Sequence, residues 1–267
     1  MAAPVRRRRR LPFRRDDGDD FGAGSMTMVE HLGELRTRLI VSGMVFLAAS
    51  VVIFFLFRPI ADFLLRPLCS LGRQRLGPQG CKLIVTGVLE PFLVRLKVTA
   101  VVALIVSGPV WLFQLWAFVA PALKVNEKRY AGPFVLSSIA LFAFGGVFAY
   151  LTLPFGLKFL LGLGDGVVTP FLKADAYLNF VLLLVVGFGA TFELPLLLMF
   201  LALAGAVSLE QLKQYRKAAF VTAFVIGAVV TPTQDPYTMT AMAVPLYLLY
   251  EVVVLVMRIR ERRRARL

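Results

Sequence analysis

The stretch NFVLLLVVGFGATFELPLLLMFLALA, residues 179–204, decides the fold class. It is long enough to cross ~30 Å of hydrocarbon at ~1.5 Å per residue. It carries one carboxylate, Glu193, with fourteen residues before it and eleven after it. An ionised acid at that depth costs roughly 2.5–3.5 kcal/mol on insertion scales, so it must face a bundle interior or a wet cavity, or be held neutral by desolvation. Pro195, two residues on, frees a carbonyl about a turn upstream and predicts a kink at the same depth. Glu193 is then either a structural acid paired with a neighbouring helix or a functional polar site within the membrane.

Working outward, 58% of the 267 residues are hydrophobic and the mean hydropathy is +0.77, far too apolar for a soluble domain of that length. The composition predicts an all-α, polytopic membrane protein. A formal net charge of +14 raises nucleic acid as a partner. The basic residues, however, sit in tails and loops between apolar runs, which fits lipid headgroups and topology instead. Two cysteines and one histidine, His31, give neither a CxxC knuckle nor a histidine-rich metal site, so neither metal nor cofactor is expected.

Residues 1–25, MAAPVRRRRRLPFRRDDGDDFGAGS, form a basic and then acidic tail that cannot build a core. Its arginines resemble an export signal only weakly, since no small-residue cleavage site follows the first apolar run. Residues 26–39 place Met28, His31 or Leu32, Leu35 and Leu39 at helical spacing, predicting a short amphipathic surface helix that leads into a first span, Leu39 to Phe57. A polar segment from Arg58 to Glu90 holds three prolines and both cysteines, with a turn or two of interfacial helix at ADFLLRPL.

A second span is expected from Pro91 to about Leu115, a third from Gly132 to about Phe155 with Gly145 and Gly146 allowing close helix approach, and a kinked fourth around Glu193. Ser208 and Glu210 suit a helix cap and first turn. The fifth span, Ala218 to Val230, is only thirteen residues, ~20 Å, and so short of the hydrocarbon thickness. Tyr237 to Met257 is the sixth, and residues 258–267 are a basic tail. Six spans put both termini on one face. That face collects twenty-one of the thirty Lys and Arg residues, so the positive-inside bias makes both termini cytoplasmic. Cys69 and Cys81 then lie outside, where they are either bridged or two free thiols.

Catalysis lacks the residues it needs. GLGD at 162–165 matches an intramembrane aspartyl protease motif, but Asp165 falls in a loop without a second intramembrane aspartate. His31 is remote from any buried serine. What remains are cytoplasmic carboxylates: Glu30 and Glu34 before the first span and Glu127 between the second and third. Glu34 lies at i, i+4 from Arg38 and on the same membrane face as Glu127. Two such acids suit arginine, whose planar fork takes paired hydrogen bonds that lysine cannot copy.

HLGELRTRL at 31–39, FQLWAFVAPALKVNEKR at 113–129, FELP at 192–195 and VTPTQDPYTMTAMAVPLYLLYE at 230–251 together resemble the TatC family, the receptor subunit of the twin-arginine protein translocase. The resemblance covers residues 26–257 and leaves both tails outside. It implies a non-enzymatic receptor in the bacterial inner membrane that binds twin-arginine signal peptides of folded cargo. Assembly with TatA, TatB and further TatC copies, and transport driven by the protonmotive force, are implied with it. By position it makes Glu34 and Glu127 the acids that meet the signal arginines, shaped by Arg36 and Arg38 and flanked by Phe118 and Pro121. Glu193 becomes the intramembrane polar or partner site, and Asp235 a loose match after the TP turn. Anionic lipids are the expected neighbours of the basic tails, and nucleic acid is not a partner. The competing class is a proton-coupled secondary transporter titrating Glu193, which internal repeats or paired broken helices would favour and the sequence lacks.

Overall fold

Apolar runs joined by short polar connections leave the backbone one way to satisfy its hydrogen bonds in lipid, and the chain takes it. The computed structural model describes residues 28–72, 81–119, 131–163, 171–231 and 235–264. These form an all-α bundle: α1 (Met28–Phe55), α2 (Phe57–Cys69), α3 (Glu90–Val106), α4 (Gly108–Val119), α5 (Ala131–Gly162), α6 (Ala174–Leu203), α7 (Leu209–Gln214), α8 (Arg216–Val230) and α9 (Pro236–Arg264). Among the described residues four helices (α1, α5, α6 and α9) are long and apolar enough to cross a membrane, and five spans result if the bent pair α3–α4 is counted as one. The central element is α6, which holds the opening stretch. Half of its apolar window is buried, against 6% for α1.

The amphipathic residues expected to lead into the first span do so, and from Met28 on they are the first turns of α1. Several boundaries differ from the sequence expectation. The run from Pro91 to Leu115, expected as one span, is two helices meeting at 54°. Pro109 has no N–H to continue the ladder. The break leaves the Leu104 carbonyl to accept from Trp111 Nε1 at 3.0 Å and Ser107 Oγ at 3.2 Å. ADFLLRPL belongs to a thirteen-residue helix, α2. There Pro67 removes the donor for the Phe63 carbonyl, which accepts from Tyr150 OH of α5 at 2.8 Å. Tyr177 OH of α6 donates to the next carbonyl, Leu64, at 2.9 Å, so both long helices hold α2, one of them through the carbonyl that its own proline frees.

Chain ends of elements are specified locally. Gly205 at φ +83° closes α6, with Ala206 N–H donating to Leu201 O at 2.9 Å and Gly205 N–H to Ala202 O at 3.3 Å, a Schellman ending. Ser208 and Gln211 then open α7 with a reciprocal capping box. At fifteen residues α8 spans ~22 Å, again short of ~30 Å. α6 runs unbroken through Pro195.

At the end of the bundle away from the start of α1, Cys69 and Cys81 are bridged with Cα atoms 5.0 Å apart. Three residues later Ile84 pairs with the Leu172–Ala174 backbone, so the bridge ties α2 to the start of α6. Closing a loop with a sequence separation of 12 restricts the unfolded chain by about 2–3 kcal/mol. Cys69→Ser with Cys81→Ser is expected to lower the thermal midpoint in detergent. Alkylation of the unaltered protein should add no mass until a reductant is present.

Candidate functional site

Two polar clusters sit on opposite faces of α4, two residues apart. On the first, Arg38 of α1 donates through Nε to Glu34 Oε1 at 3.2 Å and also through Nη2, while its Nη1 donates to Gln114 Oε1 at 3.3 Å. Glu34 and Arg38 are both half-buried. The other carboxylate oxygen, Glu34 Oε2, is enclosed and has no hydrogen-bond partner among the described residues. This cluster fastens the head of α1 to α4 and keeps one acceptor uncommitted.

The second cluster lies deeper. Trp116 Nε1 donates to Ser138 Oγ at 2.8 Å, and the same hydroxyl donates to Glu193 Oε2 at 2.7 Å. Ser138 is fully buried. Trp116 packs against Phe134 and Phe200, with ring centroids 4.7 and 5.6 Å away, so aromatics wall the relay. Glu193 Oε1 has no hydrogen-bond partner among the described residues. One hydroxyl thus joins α4, α5 and α6 and holds the acid by one oxygen. Ser138→Ala leaves a buried indole N–H and a carboxylate oxygen unsatisfied, expected to cost about 1–3 kcal/mol. Ser137→Ala, whose exposed hydroxyl only returns to Pro133 O, should leave the unfolding midpoint unchanged.

The remaining candidates are placed as follows. Arg36 is exposed on α1, and Phe118 is half-buried in the last turn of α4. Pro121 and Glu127 lie outside the described residues. Asp235 is buried and caps α9, its Oδ1 accepting from Thr238 N–H at 2.8 Å and its Oδ2 from Thr238 Oγ1. Such a cap gives this acid a structural duty. Among the described residues no cluster of His, Cys, Asp or Glu is placed to hold a metal ion.

Sequence reasoning did not single out Gln114, Trp116, Ser138 or the pair of Arg216 with Glu251, whose Nη2 and Oε2 lie 2.9 Å apart. Gln114, Trp116 and Glu251 fall inside quoted motifs, and their polar atoms in apolar runs were the available signal. Ser138 had none beyond that.

Residues 30–245 match the family profile described as Sec-independent protein translocase protein (TatC). The chain belongs to the TatC family. It is 44% identical over 247 residues to the TatC protein of Frankia casuarinae, covering 90% of this chain and 68% of that one. With the Aquifex aeolicus TatC protein it shares 43% over 230 residues, 85% and 92% of the two chains. A solved structure described as the twin arginine translocase receptor TatC superposes with a TM-score of 0.72 at 42% identity, covering 85% of this chain and 98% of the other. TatC proteins are multi-pass membrane components of a protein translocase, a transport role and not an enzymatic one. The two clusters are therefore parts of a translocase subunit.

Proposed function

We propose that this TatC protein is the receptor that binds twin-arginine signal peptides of folded cargo at the cytoplasmic face of the bacterial inner membrane. In this reading α8 serves as a short fifth span, giving six spans with both termini cytoplasmic, as the charge bias favours. Glu34 and Glu127 take the two signal guanidiniums, Arg36 and Arg38 shape the patch, and Phe118 and Pro121 border it. The apolar part of the signal lies along the bundle toward Glu193, whose unoccupied oxygen offers a hydrogen bond to a polar residue on a TatA or TatB helix. Further TatC copies complete the complex, the protonmotive force drives transport, and the basic tails rest on anionic lipid.

The observation that carries this reading is Glu34: Arg38 occupies one oxygen and leaves the other enclosed and unpaired. Its neighbour Gln114, on α4, stands thirteen residues before Glu127 in the sequence. Photocrosslinkers at positions 34 and 127, in membranes, are expected to capture a twin-arginine peptide and not its twin-lysine counterpart. Equal capture of both peptides, or capture from neither position, would overturn the assignment.

A further inference from the structure

The start of α8 and the stretch of α9 from Leu248 to Arg258 line a groove of about 420 Å³. Leu248, Val252 and Leu255 recur at i, i+4 and i+7 along α9 and are each more than half exposed, forming an apolar stripe. Arg216, Glu251 and Arg258 line the same groove. Both oxygens of Glu251 are engaged, Oε2 by Arg216 and Oε1 by Tyr247 OH at 2.9 Å. Arg216 Nε is enclosed with no hydrogen-bond partner among the described residues, and Arg258 is exposed where the apolar run ends and the arginines begin.

Two guanidiniums against one committed carboxylate leave a net positive charge beside an apolar stripe, where the apolar run gives way to arginines. We infer that this groove binds one anionic phospholipid, its phosphate between Arg216 and Arg258 and an acyl chain along Leu248, Val252 and Leu255. A free phosphate has no use for the stripe, and a zwitterionic headgroup brings its own cation against Arg258. The guanidinium forks suit a phosphate's paired oxygens. Arg216 and the apolar stripe place this site on the membrane domain, with Arg258 the first residue of the basic tail, and it does not depend on how signal peptides bind.

Native mass spectrometry of the full chain in detergent tests it, with phosphatidylglycerol, phosphatidylcholine or inorganic phosphate added. One phosphatidylglycerol adduct should survive detergent removal and persist in excess phosphate, with fewer phosphatidylcholine adducts. Arg258→Gln should weaken it about fivefold, the weight of one basic residue at an anionic surface. Arg216→Gln should do the same. Since that change also breaks the Glu251 pair, exposed Arg258 is the deciding position. Arg262→Gln with Arg263→Gln should change binding less than about twofold. Equal retention of phosphatidylcholine, displacement by phosphate, or a loss in the Arg262 and Arg263 variant matching that of Arg258→Gln would each overturn the inference.

Discussion

Gly145→Ala is expected to lower the thermal midpoint of the protein in detergent by roughly 6–12 °C, while Gly146→Ala leaves it nearly unchanged. The two glycines are adjacent on α5, yet a Cβ at Gly145 would stand 2.7 Å from the Phe188 carbonyl oxygen and 3.0 Å from Gly189 Cα. Both are backbone atoms of α6 and cannot rotate aside. At Gly146 the nearest atom is Val185 Cγ1, at 3.4 Å, the end of a side chain. Helices in lipid gain little from the hydrophobic effect between them, so close van der Waals packing carries much of their association. Pushing α5 off α6 would strain the ring contacts of Phe148, Phe188 and Phe192, whose centroids lie 6.1–6.3 Å apart. It would also draw Ser138 away from Glu193. A cost of about 3 kcal/mol or more sits at the top of the overpacking range, and at roughly 2–4 °C per kcal/mol it gives the stated shift. Matching midpoints for the two variants would show that the α5–α6 approach does not limit stability.

The same pair of helices shows what the sequence could and could not reveal. Spanning length, the short run ending at Thr231, the cap at Ser208 and the depth of Glu193 are local properties, and each is readable from spacing. The break at Ser107 is different. Hydropathy averages over a window and cannot distinguish a straight apolar helix from two that meet at 54°. The signal was Ser107-Gly108-Pro109, and the absent Pro109 N–H gives it physical meaning. Ser138 illustrates a deeper limit. Ser107, Ser137 and Ser138 are three of the serines that lie in apolar runs. Two of them bond carbonyls of their own segment, Leu104 and Pro133, and the third holds an acid 55 residues away. Only the packing of α5 on α6 separates these fates. Of the two acids proposed to act together, Glu34 is among the described residues and Glu127 is not.

Removing both acids, Glu34→Ala with Glu127→Ala, is expected to weaken binding of a twin-arginine peptide by ~10²-fold or more while the protein remains inserted and folded. Hydrogen bonds to charged groups are worth about 1.5–3 kcal/mol each, and ~1.4 kcal/mol is a factor of ten. Each single alanine should then cost ~10-fold to ~10²-fold, and the two should add if each acid serves a different arginine. Glu34→Ala should be the more damaging, because it leaves Arg38 uncompensated beside the incoming cation. Arg38→Gln separates two explanations. If Glu34 matters only by fixing Arg38 and, through it, Gln114, then Arg38→Gln weakens binding as much as Glu34→Ala. If the carboxylate itself grips the peptide, Arg38→Gln frees its second oxygen, removes a competing cation, and weakens binding far less. Equal losses in those two variants would reduce Glu34 to a helix fastener, and undiminished binding in the double variant would remove the acids from recognition altogether.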